Sequence, residues 1–245
     1  MWVGIIIMIV TALMACAGAD TRTQQTGALP LSNAHLAELG RGNNEFACHM
    51  YGRLKEDRGN LFFSPYSLRT ALAMAYAGAK GETAAQMKLA LRFTLKDEAL
   101  HAAFARTAAE LAPPEPGGYR LTIANSLWGQ KGYKWQDPFL NITNSYYGSG
   151  LSIVDFMGDM EAARKTINAW VENKTNDRIK DLIPKNGLSE TTRLALVNAI
   201  WFKGDWLHPF RKAATKDEPF YVSPSEKVSA PMMHRRGRGY RYAAT

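Results

Sequence analysis

The alternation of apolar and polar positions is sharpest over residues 194–206, LALVNAIWFKGDW. Leu194, Leu196, Ile200 and Phe202 mark one face, and Ala195, Val197, Ala199 and Trp201 the other. Apolar side chains on both faces predict a central strand covered on each side, not a strand with one wet face. Asn198 is the single polar interruption. A buried amide without partners costs roughly 1–3 kcal/mol, so another group must meet it. Lys203-Gly204-Asp205 ends the run, and Trp206 follows as a large anchor with one N–H to satisfy.

Other periods predict the elements around this strand. Phe46, Met50 and Leu54 recur at helical spacing in a helix that starts near Asn33 and stops at Asp57-Arg58-Gly59-Asn60. Leu61-Phe62-Phe63 reads as a short buried strand, and Ser64-Pro65 as an N-cap with proline in the first turn. The following YSLRTALAMAYAGA is small and apolar all round, so its helix is expected to be buried beneath something flat. Helices are predicted at 82–91, 96–111, 137–147 and 161–174, the last with Ala163, Ile167, Trp170 and Val171 on one face. Strands are predicted at 119–130, at 151–156 as an edge, at 220–222 and at 228–233. Helices first and strands around them give an α+β class.

Composition changes this picture little. Apolar residues at 46% and charged residues at 21% are those of a globular chain with a real core. The net charge of +8 is partly concentrated in 234–241, HRRGRGYR. That cluster is short and carries little aromatic interleaving, so a solvated edge that deters aggregation explains it better than nucleic-acid binding. Two cysteines, Cys16 and Cys48, cannot build a disulfide framework. The five histidines never fall at metal-ligand spacing, and the Cys48-His49 neighbours point apart on a helix. Cys48 is expected to be a small buried residue. Ser64 lacks the glycine elbow of a hydrolase nucleophile and reads as a cap. No catalytic, cofactor or metal site is legible.

Residues 1–15 are apolar without Lys or Arg, short for a membrane span and suited to the h-region of a signal peptide. The ending Leu13-Met14-Ala15-Cys16 resembles a bacterial lipobox, which implies acylation at Cys16; plain signal cleavage is the other reading. Residues 1–16 are thus assigned to a leader, 17–32 to a small polar tether and 33–245 to one incomplete domain.

Four blocks carry a family resemblance: FFSPYSLRTALAMAYAGAKGET from Phe62, IANSLWGQ from Ile123, INAWVENKTNDRIKDLIP from Ile167, and VNAIWFKGDW from Val197 with HPF and AP-MM after it. In this order they resemble the serpins, the serine protease inhibitor superfamily. The resemblance implies N-terminal helices packed on a large, mainly antiparallel sheet A, with the chain ending before the reactive-centre loop and the C-terminal strands. It implies an exported inhibitor of a serine protease, or of a cysteine protease, in which a cleaved bait loop inserts into sheet A. Residue by residue, Ser64, Ser67 and Asn198 match the family's shutter and Trp206 its breach. The bait residue would lie beyond Thr245. The resemblance further implies no catalysis, no cofactor, no nucleic-acid partner, membrane contact only through an N-terminal lipid, and a monomer when complete. A non-inhibitory serpin, a non-functional truncated product and a basic polyanion-binding scaffold are the alternatives. Residues 194–202 are expected to be left as an open apolar edge.

Overall fold

The computed structural model describes residues 2–10, 31–57, 59–111 and 119–237, with only the backbone of 2–10. The chain divides into two compact units, Met1–Lys203 and Gly204–Thr245.

In the first unit, α1 (Asn33–Leu54) is capped by Ser32, and α2 (Pro65–Tyr76) by Ser64 with proline in its first turn. Next come α3 (Gly81–Ala90), α4 (Asp97–Leu111), α5 (Asp137–Tyr147) and α6 (Met160–Lys174). Every residue of α2 from Ser67 to Met74 is buried, as its small-residue composition predicts. A four-stranded sheet runs in the order β1 (Trp2–Val10), β4 (Leu194–Gly204), β2 (Tyr119–Gln130), β3 (Leu151–Val154). β3 is parallel to β2, and β1 antiparallel to β4. Gln130 N–H donates to Arg193 O at one end of the β2–β4 pair, and Tyr119 meets the Phe202 ring at the other. Numbers rise on one strand as they fall on the other, so this pair is antiparallel.

The period-two pattern of β4 sorts its side chains onto two helical layers. Ala195, Val197 and Ala199 pack with Trp128 of β2 and with Ala163, Ile167 and Val171 of α6. Leu194 and Leu196 pack with Ala71 and Met74 of α2 and with Phe139 of α5. A third cluster joins α1, α2 and α4 through Leu39, Phe46, Leu72 and Phe104. β4 is therefore a covered interior strand.

Three expectations are corrected. Leu61–Phe63 forms no strand, and Leu61 and Phe62 are exposed, so the triplet is not the buried strand its apolar side chains predict. Cys48 is exposed, on the outer face of α1. The edge of β4 opposite β2 is not open: the backbone of 2–10 pairs along it from Trp2↔Phe202 to Val10↔Leu194. That stretch, read from sequence as a leader, is thus a strand here, and Cys16 lies outside the described residues. No described helix is long and apolar enough to cross a membrane.

The second unit holds an antiparallel hairpin, β5 (Lys216–Ser223) and β6 (Glu226–Met232), with an irregular register between Tyr221 and Ser223. His234 Nε2 lies 3.0 Å from Glu218 Oε1 beside it.

Candidate functional site

Asn198 finds its partners on two elements. Ser67 Oγ, in the first turn of α2, donates to Asn198 Oδ1 at 2.8 Å, and Asn198 Nδ2 donates to Asn125 Oδ1 on β2 at 2.6 Å. Ser67 and Asn198 are 1% and 5% exposed, so the bond between them lies in a medium where an unmatched polar atom is costly, while Asn125 is half-buried. The side-chain line Ser67–Asn198–Asn125 ties a helix head to the two central strands of the sheet.

Ser64 acts one step removed. Its Oγ accepts from Ser67 N–H at 3.3 Å, capping α2 and setting the first turn from which Ser67 reaches the sheet. Trp206 belongs to the second unit; it is 63% exposed and packs edge-on against Phe210 at 5.2 Å, so it is no buried anchor. Asn125 was missed in the sequence reading. The signal for it is the one that marks Asn198, an amide inside an apolar strand pattern, IANSL.

Two further buried polar groups support the layers on either side. Arg69 of α2 has no exposed surface. Its guanidinium donates to the carbonyls of Leu39, Leu91 and Arg92 at 2.9–3.1 Å and lies over the rings of Phe93 and Phe104. Burial pulls it down to about 10, still protonated at neutral pH. On the other face, Asn168 of α6 donates to Ile183 O and accepts from Ile183 N–H, both at 2.9 Å. Arg164 donates to the same carbonyl at 2.8 Å while its other nitrogens meet Glu161.

Nothing in this arrangement brings a nucleophile to a base. Ser67 donates to a neutral amide, and no group of three or more His, Cys, Asp or Glu that could hold a metal ion occurs among the described residues. The site can hold two strands and a helix together through hydrogen bonds that break without loss of covalent structure.

The family model for serpins, serine protease inhibitors, matches residues 41–245, and the chain belongs to that family. A serpin-like protein of Thermococcus kodakarensis is 41% identical over 194 residues, covering 79% of this chain and 45% of that protein. The leukocyte elastase inhibitor of Bos taurus is 40% identical over 207 residues, covering 82% and 53%. Among solved structures, emu ovalbumin superposes with a TM-score of 0.75 at 28% identity, over 81% of this chain and 55% of that one. Cleaved Serpin 42Da gives 0.73 at 35% identity, over 81% and 53%. The fold is that of the serpins, and the chain spans about half the length of the curated relatives it matches.

Proposed function

We propose that the protein inhibits serine proteases, with cysteine proteases as a second target class, by letting a cleaved bait segment slot into its sheet as a new strand. In this reading Ser64, Ser67 and Asn198 form the shutter at which the sheet parts, and Trp206 serves the breach where insertion starts. The observation that carries it is the line Ser67–Asn198–Asn125, whose two side-chain hydrogen bonds join α2 to β4 and β4 to β2. The outer edge of β4 supports the same reading, since it already pairs antiparallel with a strand distant in sequence. Export fits this. With residues 1–16 acting as a leader, cleaved plainly or retained through a lipid on Cys16, removal of 2–10 from the sheet vacates the edge that an inserting segment needs. The inhibitor supplies stored conformational energy and performs no catalysis.

The test uses the product of the whole reading frame in parallel with the 245-residue chain. Mixed with elastase, trypsin and subtilisin, the former is expected to give a covalent complex that survives SDS, and the latter none. No complex from the whole product with any of the three would replace inhibition by a non-inhibitory role. A complex from the 245-residue chain would show that the bait lies inside it. Palmitate label lost in Cys16→Ala distinguishes a lipid anchor from plain cleavage.

A further inference from the structure

Between α6 and β4 the chain turns back on itself at Pro184-Lys185-Asn186-Gly187. Gly187 N–H donates to Pro184 O at 3.0 Å and closes a four-residue turn. Asn186 sits in it at φ 63°, the left-handed region that asparagine tolerates better than most side chains. The next position suits only glycine. A Cβ on Gly187 would stand 2.9 Å from Ile183 Cγ2 and 3.0 Å from Pro184 O, and Ile183 is itself buried. The turn thus brings an Asn-Gly pair to the surface, and Asn186 is the only asparagine of the sequence followed by glycine.

Such a pair has a chemistry of its own. The Gly187 nitrogen can attack Cγ of the preceding side chain, because no Cβ shields it. Asn186 is exposed, and its side-chain amide has no hydrogen-bond partner among the described residues to hold it away. The N–Cγ bond forms, the side-chain nitrogen leaves as ammonia with the proton lost from Gly187 N, and a five-membered succinimide remains. Water then opens the ring at either carbonyl. One opening gives aspartate on an ordinary main chain. The other gives isoaspartate, whose main chain runs through Cβ and is one carbon longer. The bond from Gly187 to Pro184 is the brake, since attack must wait on local opening of this exposed turn.

We propose that Asn186 is a self-modification site, converted by water alone to aspartate and isoaspartate, and that the isoaspartate form loosens the hold of α6 on Ile183. Neither half depends on the inhibitor reading. The second follows from what touches the turn. Ile183 packs against Gly187, and its N–H and C=O are both taken by Asn168 of α6. One more main-chain carbon breaks the closure between Pro184 and Gly187 and displaces the glycine from Ile183. α6 packs on Ala195, Val197 and Ala199 of β4, so the loosened segment is one that keeps this helix on the sheet.

The 245-residue chain is aged in warm, mildly alkaline buffer beside a free peptide of residues 184–190, in which no turn is held. The peptide is expected to convert first and the chain more slowly. In the chain, tryptic peptide 186–193 should gain about 1 Da, amide to acid, before any other asparagine-bearing peptide, and become a substrate for an isoaspartyl methyltransferase. No gain in 186–193 once the free peptide has fully converted overturns the site. So does an earlier gain at Asn125 or Asn144, each followed by serine. The isoaspartate form, separated by anion exchange, should exchange the Ile183 amide about tenfold faster than fresh chain, the worth of about one hydrogen bond. Leu127 in the β2–β3 ladder should be unchanged. Asn186→Asp carries the charge without the longer main chain and should leave Ile183 near its original rate. Equal exchange at Ile183 in the isoaspartate form and fresh chain, or equal acceleration in Asn186→Asp, overturns the coupling.

Discussion

Arg69 shows how a single residue can organise three helices. Its three acceptors are the carbonyl of Leu39 in α1 and those of Leu91 and Arg92 at the end of α3. Arg92 sits at φ 53°, a left-handed conformation that a non-glycine residue holds only when its surroundings demand it. Gly42 of α1 leaves room for this: a Cβ there would stand 2.5 Å from Arg92 O and 3.0 Å from Arg69 Nη2. Arg69→Met keeps the stem and removes every donor, so three buried carbonyls lose their partners. The expected cost is at least about 3 kcal/mol, read as a lower urea midpoint. A change within about 0.5 kcal/mol would show that water satisfies those carbonyls instead.

His101 is the buried group whose shift predicts sensitivity to acid. It is buried in α4, with Nδ1 2.6 Å from the Tyr147 hydroxyl and the rings of Tyr76, Tyr146 and Tyr147 around it. Burial lowers it from 6.5 to about 4, with Asp97 pulling weakly the other way. The fold therefore favours the neutral imidazole. Its contribution is fully present above about pH 6.5, where the unfolded chain is also neutral, and is lost as pH falls from there through about 4. The loss amounts to on the order of 3 kcal/mol. Denaturant midpoints measured from pH 7 to 4.5 should fall, and His101→Gln should flatten that slope; an unchanged slope would assign acid sensitivity to other groups.

At the scale of elements, α6 holds the backbone of one residue in the chain that follows it. Asn168 holds both the N–H and the C=O of Ile183, and Arg164 shares the same carbonyl. Asn168→Ala is expected to speed hydrogen exchange at Ile183 while leaving the β2–β3 ladder unchanged, because that ladder rests on backbone bonds. Uniformly faster exchange would mean that the tie supports the whole unit instead of this segment. The elements themselves were largely legible. Residues 119–130 and 137–147 match β2 and α5 end to end, since period two and period 3.6 are local properties. Leu61–Phe63 failed because three apolar residues do not by themselves fix a strand: whether a short segment joins a sheet is decided by its tertiary setting. Asn198 announced a need for partners, and the resemblance pointed to Ser67 and Ser64, but Asn125 stands 73 residues away on a strand whose apolar positions drew attention from its amide.

For the whole molecule, the edge of β4 is the pressing question. The backbone of 2–10 covers it from end to end. A chain beginning at Ala17 would present a long apolar strand with unpaired backbone groups, a template for pairing with another copy. Such a chain is expected to elute as higher oligomers in size-exclusion chromatography, and the 245-residue chain to associate less. A cleanly monomeric shorter chain would show that the edge is protected by other means. The second unit adds to this tendency, because Leu207, Phe220, Tyr221 and Val222 are all exposed.

The sequence by itself determined the order and type of most elements, the doubly apolar strand, its one polar residue and, through the four blocks, the family. Those are written in spacing and residue chemistry along short stretches. Only the tertiary structure decided which amide completes the line from Ser67, which carbonyls surround Arg69, and that residues 2–10 lie along β4. Each of these is a meeting between residues far apart in the chain, set by how the layers pack and invisible to any local period.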